Sequence, residues 1–208
     1  MDWLVVGLGN PGREYLHTRH NIGFAVAEEL ARRWGLGAGR ERYRGRLREG
    51  RAGAGGPRVA LLEPHTFMND AGRSAGPARG AYRLPLDRVL VLHDEIDLPF
   101  GEIRSRVGGG LAGHNGLKSL RQSLGGGEFA RVRIGVGRPD STDPQIVAAY
   151  VLGRFSEPSA QVAALVGRAA DAAAAIVAGE EAGPPGTGAP ARGDSGAAGA
   201  GPAGSGSQ

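Results

Sequence analysis

The chain opens on a short apolar run, Trp3-Leu-Val-Val6, which breaks into Gly7-Leu-Gly-Asn-Pro-Gly-Arg-Glu-Tyr-Leu-His-Thr-Arg-His-Asn21 before apolar residues return at helical spacing. A buried strand, a polar loop and an amphipathic helix in that order form the first step of an open α/β sheet, whose chemistry sits on the loops leaving the strand ends. This loop carries two amides, a phenol and two imidazoles. Such groups at a strand end describe an active-site layout.

The same alternation continues along the chain. Ile22, Val26, Leu30 and Trp34 recur every fourth position, which predicts a helix that starts at His20 or Asn21 and ends near Gly35. Arg42, Arg44, Arg46 and Arg48 alternate with Tyr43, Gly45 and Leu47, as in a strand with one wet face, and the arginine row reads as a solvated edge before it reads as an RNA patch. Val59 to Leu62 is a second strand, and residues 66–82 form a glycine-interrupted helix. Val89-Leu-Val-Leu92 is a buried strand ending on His93-Asp94, and Val132, Ile134 and Val136 mark another. Asp143-Pro144 caps a helix through Leu152, and Ser156-Glu-Pro158 starts one running to Gly179. The expected fold is α/β: a single-domain three-layer αβα architecture around a mixed, mainly parallel twisted sheet, with some hairpin-connected antiparallel strands.

A chain of 208 residues suits one domain, here 1–181. Residues 182–208 are almost entirely Gly, Ala, Pro and Ser, with no large apolar side chain to bury, and are expected to form a disordered tail. The net charge of +4 belongs to the part before that tail and is nearly all arginine, Lys118 being the sole lysine. Guanidinium groups suit phosphate, so the charge tilts the reading towards a nucleic-acid partner. With no cysteine, disulfides, thiolate nucleophiles and zinc-thiolate sites are excluded. The Met-Asp-Trp-Leu start lacks a signal peptide's basic flank, and no apolar run reaches membrane-spanning length, so a cytoplasmic protein without membrane contact is expected. A monomer is expected as well.

Gly7-x-Gly9-x-x-Gly12 matches the dinucleotide-binding spacing. That motif needs a helix opening straight after the glycines, so that its N-terminus meets the pyrophosphate. Pro11 and the polar run to Asn21 intervene, which weakens this reading and the nucleotide-dependent oxidoreductase it would imply.

Four polar segments stand where strands end or helices begin: Asn10 to Asn21, Pro64-His-Thr-Phe-Met-Asn69, His93-Asp-Glu-Ile-Asp-Leu-Pro99 and Gly108-Gly-Gly-Leu-Ala-Gly-His-Asn-Gly116. Strand ends on one sheet edge converge, so the four can build one pocket. In VVGLGNPGREYLHTRHNIGF, EPHTFMN, HDEIDLPFGEIRSR, GGGLAGHNGLKSL and ARVRIGVGRP, in this order between residues 3 and 152, the chain resembles bacterial peptidyl-tRNA hydrolase. The resemblance implies an esterase that releases a peptide from the 3′ end of tRNA, with peptidyl-tRNA as partner and no cofactor or metal. No His, Cys or acid cluster with zinc-ligand spacing appears.

By that resemblance, His20 of TRHN is the general base and Asp94, the first acid of HDEID, its orienter, with Glu95 and Asp97 as rival carboxylates. A helix beginning at Asn21 would lower the pKa of His20 through its positive end. Asn10 is implied to sense the blocked amino group, and Asn69 and Asn115 to hold the substrate near the ester. Tyr15 and Phe67 match positions that contact tRNA, and His114 with its preceding glycines suggests a mobile lid opening a helix. Arg104 and Arg106 stand where the family places basic residues facing tRNA phosphate, with Arg131 and Arg133 as weaker candidates. The rival reading is a non-catalytic RNA-binding or splicing-support protein of the same fold, which would need no imidazole and carboxylate together.

Overall fold

In the computed structural model, which describes residues 1–180, the opening apolar run becomes β1 (Trp3–Gly7), buried at every position. The proposed tail at 182–208 lies outside the described residues. A strand buried on both faces belongs in the middle of a helix-covered sheet. Accordingly β1 pairs in parallel with β4 (Arg58–Pro64) on one side and β5 (Val89–Glu95) on the other. A further parallel pairing joins β5 to β7 (Ala130–Gly135). Antiparallel strands flank this centre: β2 (Arg40–Glu41) and β3 (Gly45–Arg51) beside β4, and β6 (Ile103–Val107) beside β7. The order β2-β3-β4-β1-β5-β7-β6 is the mixed sheet expected, with β6 a strand the apolar pattern did not mark.

Alternation along β1 divides its side chains between two cores. Trp3 and Val5 pack with α1 (Ile22–Arg33) and α5 (Ser159–Ala178), through Val26, Leu30, Leu165 and Ile176. Leu4 and Val6 pack with α2 (Gly72–Tyr82) and α3 (Asn115–Leu124), through Ala75, Ala78, Leu117 and Leu120. Helices therefore cover both faces, and the three-layer αβα architecture is met. The expectation that no apolar run reaches spanning length needs correction at α5, whose 20 residues are long and apolar enough to cross a membrane by length and composition. In the fold, Leu165, Ala169, Ala173 and Ile176 of this helix face the sheet.

The arginine row is the larger departure. Tyr43 and Arg44 both adopt left-handed backbone, φ 55°, and Arg42 and Gly45 exchange backbone hydrogen bonds of 2.9 and 3.2 Å. A strand over 42–48 is thus replaced by a tight hairpin between β2 and β3. At Arg46 and Leu47, β3 is paired on both sides and is no edge there. Arg48 is buried, donating to Glu63 at 2.9 Å and to Glu28 of α1 at 2.8 Å, and Arg46 donates to Glu63 at 2.8 Å. Alternation of charge here marks paired ions beneath α1, because Glu63 lies on the neighbouring strand at the matching register.

One glycine sets where the site can form. A Cβ added to Gly23 would run into the carbonyl oxygens of Leu92 and Leu8, so the first turn of α1 lies directly on the ends of β1 and β5. Gly23→Ala is expected to force the helix outward at a cost of about 1–3 kcal/mol, measured as a lowered urea midpoint. An unchanged midpoint would show that the approach is not tight.

Candidate active site

The short 3-10 turn Arg19–Asn21 ahead of α1 carries His20, the C-terminal part of β5 carries Asp94, and His114 caps the N-terminus of α3. Close seating of α1 on the strand ends brings the first two segments together, and His114 reaches the same carboxylate from α3. His20 Nδ1 lies 2.9 Å from each Asp94 carboxylate oxygen, and His114 Nε2 lies 3.0 Å from Oδ1. Asp94 itself is buried. Of the rival acids, Glu95 accepts from Arg133 at 3.0 Å and Asp97 from Arg138 at 2.7 Å. Neither is available to orient an imidazole.

Hydrogen bonding assigns the protons on both rings. The backbone N–H groups of Gly116 and Leu117 donate to His114 Nδ1, at 3.1 and 3.4 Å. That nitrogen is therefore unprotonated, and Nε2–H donates to Asp94. His20 in turn gives its Nδ1–H to the carboxylate, which leaves Nε2 as a lone pair. Burial alone would raise the Asp94 carboxyl, but attraction and hydrogen bonds from His20 and His114 hold it well below the usual range. Burial also opposes a charge on His20, yet Asp94 outweighs it, and the pKa lies above the ordinary 6.5. The expected lowering by a helix end is thus reversed. A carboxylate in contact acts more strongly than the partial charge of a helix terminus, and α1 begins only at Ile22, after the 3-10 turn.

His93, read from the sequence only as a strand end, is fully buried and donates Nδ1–H to the Asp94 carbonyl at 2.7 Å. Burial and the neighbouring His114 hold its pKa well below 6.5, so it is neutral. Its ring meets that of His114 edge-on with centroids 5.1 Å apart.

Asn10 is fixed by the other amide of the loop and by a backbone group from a distant segment. Its backbone exchanges two hydrogen bonds of 2.9 Å with the side chain of Asn21, and its Oδ1 accepts from the Met68 N–H at 2.7 Å. An N–H can only donate, so the Asn10 amide oxygen must face Met68 and Nδ2 is left as its only free group. A cavity of about 750 Å³ is lined by Asn10, His20, Phe67, Asn69, Asp94, His114 and Asn115. Asn69 and Asn115 are exposed. Lys118 and Arg138, not singled out in the sequence, also line it, as does an apolar wall of Ile96, Val147, Val151 and Leu152.

Phe67 is 58% exposed at this cavity and meets Tyr15 edge-on, centroids 6.5 Å apart. Tyr15 is not among the lining residues. Arg104 and Arg106 of β6 stand opposite Arg133 and Arg131 of β7 in register, so the four share one sheet face. They are not equivalent. Arg131 is buried and donates to the carbonyls of Gly108 and Gly110, and burial together with repulsion from Arg133 and Arg106 pushes its pKa down to about 10. It anchors the glycine loop and cannot meet phosphate. Arg133 is occupied by Glu95. Arg104 is exposed, though bonded to Glu102, while Arg106 is half-buried and packs against Gly109.

The ligand atoms of His20, Asp94 and His114 all lie within 4.8 Å of one another, close enough to hold a metal ion. Local spacing could not reveal the group, since its members come from three distant segments. Each imidazole already satisfies the carboxylate through a proton, so an ion would have to replace both hydrogen bonds.

Comparison with known proteins gives a consistent family. The model of the family described as peptidyl-tRNA hydrolase matches residues 4–183. A peptidyl-tRNA hydrolase of Renibacterium salmoninarum is 50% identical over 154 residues, covering 74% of this chain and 79% of the relative. One from Geobacillus kaustophilus is 48% identical over 172 residues, covering 81% and 89%. The crystal structure of peptidyl-tRNA hydrolase from Acinetobacter baumannii superposes with a TM-score of 0.74 at 40% identity, covering 84% of this chain and 86% of that one.

Proposed function

Since this chain belongs to the peptidyl-tRNA hydrolase family, we propose that it hydrolyses the ester between peptide and tRNA with a water molecule activated by His20 and Asp94. The observation that carries this reading is the His20–Asp94 pair, 2.9 Å apart, with His20 in the cavity wall and its Nε2 free to accept a proton. As the water oxygen bonds to the ester carbonyl carbon, its proton passes to Nε2 and the carbonyl becomes an oxyanion. Asp94 steadies the imidazolium formed. The exposed amides of Asn69 and Asn115 and the free Nδ2 of Asn10 are donors suited to the oxyanion and the peptide carbonyls. Collapse breaks the bond to the tRNA 3′ oxygen, which takes the proton back from His20.

Phe67 supplies an aromatic face for a terminal base, and Arg104 with Arg106 supplies charge for the backbone. No step requires a metal, and a chelator is expected to leave turnover unchanged. Because the substrate arises in translation, the reaction belongs to the cytoplasm.

The deciding experiment incubates the purified chain with N-acetyl-aminoacyl-tRNA and follows release of free tRNA. Tight binding without release would favour the non-catalytic RNA-binding alternative. The pH profile gives a second check. Turnover needs neutral His20, whose pKa is raised, so kcat/KM should climb with pH through a limb above 6.5. Asp94→Asn removes the charge that raises this pKa, so the limb should move to lower pH while the plateau falls. A limb that stayed in place would mean that another group is titrating.

A further inference from the structure

The cavity has a second character that the reaction does not use. In α4 (Pro144–Leu152), Pro144, Val147, Ala148, Val151 and Leu152 recur at helical spacing, and all of them line the cavity. Such a stripe normally lies against a core. Here Val151 is the only buried residue of the helix, and Leu152 is 42% exposed. The helix contains no charged residue. Its one aromatic ring, Tyr150, is engaged elsewhere: the hydroxyl donates to the Val136 carbonyl at 2.7 Å, and Arg19 stacks on the ring at 4.2 Å. An aliphatic wall therefore stands open to the same cavity as His20.

Its chemistry selects among the parts of the substrate. A nucleobase stacks on aromatic surface and its phosphates need cations, but α4 turns neither towards the cavity. Arg138 beside it is paired with Asp97 at 2.7 Å. The aromatic face at this cavity belongs to Phe67, on another segment. An aliphatic side chain matches the stripe, and the residue whose side chain must lie nearest the scissile ester is the one esterified to tRNA.

We propose that α4, with Val147, Val151 and Leu152, forms a subsite for the side chain of that esterified amino acid, so that branched aliphatic esters are hydrolysed faster than those of glycine or aspartate. This rests on the hydrolase reading above. The test is kcat/KM on a single tRNA charged with N-acetyl-leucine, N-acetyl-glycine or N-acetyl-aspartate. The leucyl ester should exceed the glycyl ester by about tenfold, as expected for burying an apolar side chain in a pocket, and the aspartyl ester should be slowest. Val147→Asp, and separately Leu152→Ser at the more exposed position, should each shrink the leucyl-to-glycyl ratio. Simple damage to the fold would lower both rates and keep the ratio. A flat wild-type series would overturn the subsite. So would variants that keep the wild-type melting temperature and yet slow all three esters equally, which would assign the stripe to a group common to every substrate, such as the terminal nucleoside. Absence of release from any ester would sink the hydrolase reading and the subsite with it, a pattern distinct from a flat but active series.

Discussion

His20→Ala should lower turnover of N-acetyl-aminoacyl-tRNA by about 10²–10⁴-fold, the range typical of losing a general base, while tRNA affinity stays near normal. The imidazole contributes one lone pair, at Nε2, and among the described residues lining the cavity no other imidazole nitrogen is free to accept a proton. His114 spends Nδ1 on two backbone N–H groups and its Nε2 proton on Asp94, and His93 is fully buried. Tertiary contacts should survive, because Asp94 retains His114 as a partner. Asp94→Asn should cost less, since the imidazole remains and an amide oxygen can still accept its Nδ1–H, but without a negative charge to steady the imidazolium. Single-turnover rates alongside filter binding separate chemistry from affinity. A His20→Ala enzyme working at nearly the normal rate would end the proposed mechanism.

The second large effect concerns the substrate's amino group. With Oδ1 committed to Met68, Asn10 offers the cavity donors only. Donors pair with the carbonyl of an acylated amine, whereas a free ammonium is itself a donor and finds no acceptor on the Asn10 side chain. Bringing that ammonium out of water without a partner is costly. Wild-type protein should therefore hydrolyse N-acetyl-aminoacyl-tRNA faster than aminoacyl-tRNA by about 10²-fold or more, as for sites whose polar groups go unpaired with the wrong substrate. In Asn10→Asp one oxygen can still accept from Met68 while the other faces the ammonium, so the gap should narrow from both sides. Equal wild-type rates on the two substrates would remove Asn10 from this role.

Much of this was readable in one dimension because its causes are local. The opening strand, α1 and its four-residue apolar period, Asp143 capping α4 through the Gln145 N–H at 2.7 Å and Gly179 ending α5 at φ 88° follow from propensities acting within a turn or two. The identity of His20, Asp94 and the asparagines came from resemblance to a family, and the fold brings them to one cavity.

What the chain order could not disclose was every property set by a partner far away. His20 and Asp94 are 74 residues apart, and only their contact decides that the histidine is raised and not lowered. Arg46 and Arg48 looked wet until Glu63 and Glu28 arrived from other elements, and Arg131, a weaker candidate for phosphate, proved to be buried and bonded to the glycine loop. Which way the Asn10 amide points depends on the Met68 N–H, 58 residues on. Local spacing sets which backbone conformation is cheapest, whereas burial and charge are sums over neighbours in space. Most helices, the buried central strands and the chemical types were therefore legible in the sequence, while the hairpin at Tyr43 and Arg44, the strand β6, protonation, orientation and accessibility belong to the assembled fold.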